Sequence, residues 1–441
     1  MLDLIGSWLI SVWPYSQEIQ PLRTSALSGW VEATDPKVLT QPQFALDEGA
    51  IAAVNAHLEA LQVKGLPAER QGVWVQSGRT VLATHMGTEP LPAASLTKIA
   101  TTLVALDTWG TEHQFTTLIS YTGTLKEGVL QGDLIVQGGG DPFFVWEEAI
   151  ALSNALNQAG VESVTGDLVI VGSFAMNFKD NPLIAGRLLQ QAMHAPLWST
   201  AAEAQFAQMP PDTLRPQLPI QGTVRTVEPA VLETQTTTPL LQHKSLPLVE
   251  MLKQMNIYSN NFIADALADL LGGGGAIAQQ VASMTQVPIE EIQLINGSGL
   301  GADNRLSARA VCAMLMVTHD MLSDSGWTVS DVLPVAGIDT GTIEGRLLPQ
   351  ATAVKTGTLS VVSTLAGAMP TVDKEVVWFA ILNWGSDLDG LRDQQDRLLW
   401  DWISLWSLAD EGIDAIARRP LVSGETVQLG EPDRNSILLE F

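Results

Sequence analysis

Ser95 and Lys98 stand three residues apart in the stretch LPAASLTKIATTLVAL, residues 91–106, at the head of a run of good helix formers. Helical geometry carries residues i and i+3 to one face, so a hydroxyl and an amine meet there. A serine hydroxyl is a weak nucleophile until a base removes its proton, and lysine serves as that base only where burial or nearby positive charge keeps it neutral. Alone, the pair also fits a surface helix start with Lys98 in solvent. Two further patterns favour chemistry: Ser259-Asn260-Asn261 and Lys355-Thr356-Gly357. Ser-x-x-Lys, Ser-x-Asn and Lys-Thr-Gly each occur once, in that order.

Each piece has a use in acyl transfer. Lys355 adds positive charge that disfavours a second ammonium at Lys98. The backbone N–H groups of Ser95 and Thr358 suit the oxyanion of a tetrahedral intermediate if the strand runs beside the helix start. Ser259 is expected to relay a proton to the leaving amine, and Asn261 to hold a substrate amide. Lys355, with the hydroxyls of Thr356 and Thr358, makes a carboxylate site. Gly357 lets a substrate backbone approach the strand closely. The expected substrate is an acyl compound with a free carboxylate beside the scissile bond.

The elements that must position these residues follow from periodicity and turn chemistry. LDEGAIAAVNAHLEALQ, from Leu46, has helical spacing, and GVWVQ and TVLATHM form a hairpin before the Ser95 helix. From Thr116 to Pro239 short strands joined by glycine turns predominate, with one helical run, WEEAIALSNALNQAG. LPLVEMLKQMN and the run after YSNN return to helix. AVKTGTLS, STLAGAMP and EVVWFAILNW are three strands, and LDGLRDQQDRLLWDWISLW is a closing amphipathic helix. If the first hairpin joins the last three strands, the result is a five-stranded antiparallel sheet with the terminal helices on one face, an α+β domain. Residues 41–115 and 240–441 would form this discontinuous catalytic domain, 116–239 an inserted β-rich domain, and 1–40 an N-terminal segment.

Composition narrows the function classes. The 441 residues carry 48 acidic against 23 basic side chains, a formal net charge of −25, which argues against a nucleic-acid partner. The six histidines lack the spacing of a metal site such as HExxH, so neither metal nor cofactor is expected. Cys312, the one cysteine, lies among Ala, Val and Met as a buried, inert thiol would. Gly272 to Gly275 is expected to stop a helix and hinge the chain; it lacks the following Lys of a phosphate loop. Asn296 to Asn304 is expected to be a loop shaped by its glycines, with Arg305 at a helix start, and Trp400, Trp402 and Trp406 are expected to pack in helix contacts. No stretch is apolar for the roughly 18 residues of a membrane span. MLDLIGSWLISVW at the N-terminus is a weak signal-peptide candidate with no basic residue before Arg23.

With these residues in hand, the chain resembles the penicillin-recognising serine enzymes, within them the low-molecular-mass class C penicillin-binding proteins, the D-alanyl-D-alanine carboxypeptidase/endopeptidases. GDLIVQGGGDP (132–142), INGSGLGADNRLSA (295–308), LPVAGIDTGTIEGRL (333–347) and AVKTGTLSVVSTLAGAM (353–369) carry the resemblance from roughly Leu46 to Leu399. It implies a transpeptidase-like fold, Ser95 as nucleophile, Lys98 as base, Ser259 and Asn261 as second element, and Lys355, Thr356 and Gly357 as third. It implies cleavage of terminal D-Ala-D-Ala bonds, and of D,D-cross-links, in peptidoglycan stem peptides, with β-lactams as covalent inhibitors and an extracytoplasmic location. The roughly 160 residues between Lys98 and Ser259 imply an insert smaller than this branch carries. Asp141 is most simply a turn residue; its alternative is an acidic partner for a free amine on the stem peptide. Two other functions fit the same residues: a serine β-lactamase with fast deacylation, and a non-catalytic protein keeping the fold. The class A lactamase pattern, a Glu four residues before an Asn, is not found between Ser259 and Lys355. All the catalytic residue types are present, so nothing favours a dead member.

Overall fold

A computed structural model describes residues 42–409, 416–417 and 428–438, so the expected N-terminal segment lies outside the described residues. Its central sheet runs Gln43–Phe44, Thr80–His85, Gln71–Ser77, Glu375–Trp384, Val362–Thr371, Ala353–Leu359. The five long strands are the expected ones and pair antiparallel. The short Gln43–Phe44 strand adds a parallel edge.

Alternation along Glu375–Trp384 assigns its faces. Val377, Phe379 and Ile381 join Ala50 and Val54 of the Glu48–Val63 helix and Leu398 and Trp402 of the Leu388–Trp406 helix. Trp378, Ala380 and Leu382 point the other way, to Ile99 and Leu103 of the Thr97–Trp109 helix and Val311 and Leu315 of the Ala308–Ser323 helix. Both terminal helices therefore cover one face, and the helix that follows Ser95 is clamped on the other. Ala353–Leu359 lies at the far edge, beside the Ser95 turn.

A second sheet has the order Val224–Val227, Leu168–Ser173, Leu134–Gly139, Thr116–Tyr121, Thr238–Lys244, Asn435–Ile437. Its first three strands are parallel to one another and the remaining pairings are antiparallel. Two features differ from the sequence expectation. Helices Pro182–Ala192 and Thr200–Phe206 accompany Trp146–Gln158, so this region is α/β in texture; the Asn181 cap before Pro182 and the Ser199 cap are the start signals. The last described strand pairs with Thr238–Lys244 instead of belonging with the catalytic sheet. Arg434, just before it, forms a buried ion pair with Glu148 that fastens this tail to the second sheet.

Two smaller expectations also change. Gly272, left-handed at φ 92°, follows the end of the Asn261–Leu270 helix as expected, but Gly273 to Gly275 begin the Gly273–Thr285 helix instead of forming a hinge, and a Cβ at Gly274 would lie 2.7 Å from the backbone of Ile295 and Asn296. Arg305 belongs to the short Arg305–Leu306 strand, its Nε donating to the Pro90 carbonyl at 3.1 Å. Cys312 is buried and its thiol is pushed well up by desolvation, as an inert cysteine's would be.

Candidate active site

Three elements converge at the edge strand. Ser95 occupies the 3-10 turn Ala94–Leu96, which leads directly into the Thr97–Trp109 helix. The turn is strained, with Ala94 at φ 48°, in the left-handed region a non-glycine residue rarely adopts. Ser259 is left-handed too, at φ 51°, in the break between the Leu248–Ile257 and Asn261–Leu270 helices, where Asn260 caps the second helix through Ile263 N at 3.1 Å. Ala353–Leu359 carries Lys355, Thr356 and Gly357 past the Ser95 turn. A Cβ on Gly357 would sit 2.9 Å from the Ser95 nitrogen and 2.2 Å from Thr364 Oγ1, so only glycine permits this approach.

Lys98 is fully buried, and its three N–H donors have three acceptors. Nζ donates to Ser95 Oγ at 3.0 Å, to Asn261 Oδ1 at 2.7 Å and to the Ser298 carbonyl at 2.8 Å. Desolvation draws its pKa down to about 7, against an opposing pull from Asp265. Of the three partners the Ser95 hydroxyl and, after an amide flip, Asn261 Nδ2 can donate, whereas the Ser298 carbonyl only accepts. With Asn261 presenting Oδ1, a deprotonated Lys98 directs its lone pair at Ser95. The expected nucleophile and base thus sit in hydrogen-bond contact, in the geometry proton transfer requires.

Lys355, also fully buried, donates to Ser259 Oγ at 3.0 Å and to the Thr356 carbonyl at 2.8 Å. Burial, with Lys98 nearby, holds its pKa well below the usual lysine range. The structure therefore brings Ser95, Lys98, Ser259, Asn261, Lys355, Thr356 and Gly357 into one cluster. Thr358 continues the strand outward, its hydroxyl accepting from Arg392 at 3.3 Å. Asp141 is buried, and its Oδ1 accepts from Phe143 N at 2.8 Å, closing the turn after the glycines. Burial raises its pKa to about 7, with Glu148 pushing the same way. None of its hydrogen bonds among the described residues reaches the three motifs.

Comparison with known proteins fits this geometry. The D-Ala-D-Ala carboxypeptidase 3 (S13) family matches residues 52–182 and 173–400. The chain belongs to that family. The carboxypeptidase DacB of Mycolicibacterium smegmatis is 28% identical over 165 residues, 33% of this chain and 35% of that protein. The D-alanyl-D-alanine carboxypeptidase DacB of Haemophilus influenzae is 30% identical over 90 residues, 20% of this chain and 19% of that protein. The aligned stretches thus span at most about a third of these curated relatives. Among solved structures, a penicillin G-acylated predatory endopeptidase from Bdellovibrio bacteriovorus, bound to an immunity protein, superposes with a TM-score of 0.67 at 24% identity, over 79% of this chain and 96% of that one. Penicillin-binding protein 4 of Haemophilus influenzae, complexed with a β-lactam, gives 0.59 at 19% identity, over 79% and 99%. Both share the fold.

Within this S13 family member, three contributions escaped sequence reasoning. The Ser298 carbonyl holds Lys98, Asp265 holds the Ser298 loop, and Arg392 stands at Thr358. The glycines at 297, 299 and 301 were the available signal, because they mark a loop whose backbone must come close to something. A Cβ on Gly299 would lie 1.8 Å from the Ala94 carbonyl, which shows that this something is the Ser95 turn.

Proposed function

We propose that this chain is a serine D,D-peptidase that cleaves the terminal D-Ala-D-Ala bond of peptidoglycan stem peptides, and D,D-cross-links, through an acyl-enzyme on Ser95. The single observation that carries the reading is the 3.0 Å contact between Lys98 Nζ and Ser95 Oγ in a site that keeps the lysine titrating near neutrality. Neutral Lys98 takes the Ser95 proton as Oγ bonds to the substrate carbonyl carbon. The Ser95 and Thr358 N–H groups receive the oxyanion. As the C–N bond breaks, Ser259 passes its proton to the leaving amine and takes one back from its partner Lys355, and the proton that Lys98 took from Ser95 makes good that loss, so both lysines end the step as they began it. Water then hydrolyses the ester and frees Ser95. Lys355, Thr356 and Thr358 face the substrate carboxylate, and the cation of Arg392 adds to the attraction.

The Bdellovibrio endopeptidase carries penicillin G as an acyl group, and we extend that behaviour to this chain: β-lactams acylate Ser95. Peptidoglycan lies outside the cytoplasm, so the reading requires an extracytoplasmic enzyme. Among the described residues no helix is long and apolar enough to cross a membrane. Intact mass after incubation with benzylpenicillin tests the assignment. A stable penicilloyl adduct on wild type, lost in Ser95→Ala, is expected. Rapid drug loss without an adduct would make the chain a β-lactamase. Neither adduct nor drug loss would leave a non-catalytic binding protein.

A further inference from the structure

Asp265 lies one helical turn beyond Asn261 on the Asn261–Leu270 helix and belongs to none of the three motifs. Its Oδ1 accepts two backbone N–H groups, Gly297 at 3.1 Å and Ser298 at 2.8 Å. The same Ser298 presents its carbonyl to Lys98 Nζ at 2.8 Å. From the opposite side Thr101, one turn after Lys98, donates to the Gly297 carbonyl at 2.8 Å. One loop is therefore held between a carboxylate on the Asn261 helix and a hydroxyl on the Ser95 helix, with its Gly297 carbonyl on Thr101 and its Ser298 carbonyl on the lysine. Gly297 packs tightly against the Asn261 helix, since a Cβ there would lie 2.3 Å from the Ala264 carbonyl.

We infer that Asp265 is a positioning residue for Lys98: by anchoring the Gly297–Ser298 loop it fixes the direction of the amine toward Ser95, and its charge sets the pH at which that amine becomes a base. The inference rests on Lys98 acting as the base, as proposed above. The peptide that Asp265 grips at the Ser298 N–H carries the Gly297 carbonyl that Thr101 holds, so that peptide is pinned at both ends and the adjoining Ser298 carbonyl is aimed at Lys98. The charges around the pair come from three elements. Lys355 on the edge strand opposes the Lys98 ammonium, Asp265 favours it, and Asp269, next on the Asp265 helix, responds to Asp265 and to Asp180 from the insert. Burial holds the Asp265 carboxyl above its usual range while Lys98 and the two N–H groups pull it down. Such a carboxylate acts through the loop and the field, touching neither Ser95 nor substrate.

The test is the pH profile of second-order acylation by benzylpenicillin, followed by intact mass, for wild type, Asp265→Asn, Asp265→Glu and Thr101→Val. Asp265→Asn keeps an oxygen acceptor for the two N–H groups and removes the charge, so the acidic limb moves to lower pH by about half to one unit. Asp265→Glu restores the charge and returns the limb to its wild-type place. Thr101→Val loosens the loop without changing charge, lowering the rate severalfold at every pH with the limb unmoved. If Asp265 were merely structural, Asp265→Asn would lose rate uniformly with its limb where the wild type's is, and that result would overturn the inference. Wild type failing to acylate at Ser95 would instead sink the proposed function, so the two failures are distinguishable. Circular dichroism melts confirm that the compared variants are folded.

Discussion

The pH dependence of acylation follows directly from the burial of Lys98. With a pKa of about 7, neutral Lys98 makes up about 3% of the enzyme at pH 5.5 and about 90% at pH 8. If neutral Lys98 is the base, the second-order rate of β-lactam acylation rises about 30-fold between those two pH values and then levels. A lysine near its ordinary pKa of about 10.4 would behave otherwise, with the rate still climbing nearly tenfold per pH unit at pH 9 and levelling only above about pH 10. Stopped reactions read by intact mass give the rates, on a drug stable across the range. Lys98→Met removes the base and should cost at least about a thousandfold at pH 8, because it removes general-base help and an activated nucleophile together. A profile still climbing steeply at pH 9 would refute the reasoning, as would substantial acylation of Lys98→Met.

The same burial has a stability signature. Between about pH 7 and 10 the unfolded chain holds a proton on Lys98 that the folded chain has released, so stability rises with pH by up to about 1.4 kcal/mol per unit from this group. Lys355 is shifted in the same direction and adds to that slope; denaturant melts at pH 7 and 9 should show Lys98→Met with a flatter dependence. Gly357→Ala pushes a methyl to 2.9 Å from the Ser95 nitrogen and 2.2 Å from Thr364 Oγ1, so acylation should fall at least about a hundredfold for about 1–3 kcal/mol of stability. Near-normal acylation of that variant would mean that the strand and the Ser95 turn are not held as described. Arg434→Ala strands Glu148, which is only 2% exposed, and should cost about 3–5 kcal/mol in urea melts while leaving the Ser95 acylation rate intact. A loss below about 1 kcal/mol would show that the tail does not depend on this pair.

How much of this was legible in the sequence depends on the range of the interaction. The five long strands and the two covering helices were readable because a strand's faces alternate with period two, and Val377 to Leu382 sort cleanly into two cores. The three motifs were legible as a set because their residue types suit acyl transfer, and the fold brings them together. The Ser298 carbonyl on Lys98 was not, since a backbone oxygen has no residue type and the bond joins positions 200 residues apart. Asp265 looked like any polar residue on an amphipathic helix. Its role follows only from the loop that the fold lays against it. The Asn435–Ile437 strand was not read from sequence for a related reason: it is three residues long, lies in the stretch grouped with the catalytic domain by chain order, and pairs with Thr238–Lys244, almost 200 positions earlier. Asp141 kept the turn role its setting after three glycines suggested, with Phe143 N as the partner.

The central claim is that Ser95 carries the acyl group of a substrate ending in D-Ala-D-Ala. The most direct measurement is release of free D-alanine from a D-Ala-D-Ala-terminated stem pentapeptide, by wild type and by Ser95→Ala. The account predicts steady D-alanine release by wild type, blocked by prior penicillin treatment and absent in Ser95→Ala. Release that persists in Ser95→Ala, or wild type that binds the peptide and frees no D-alanine, would contradict it.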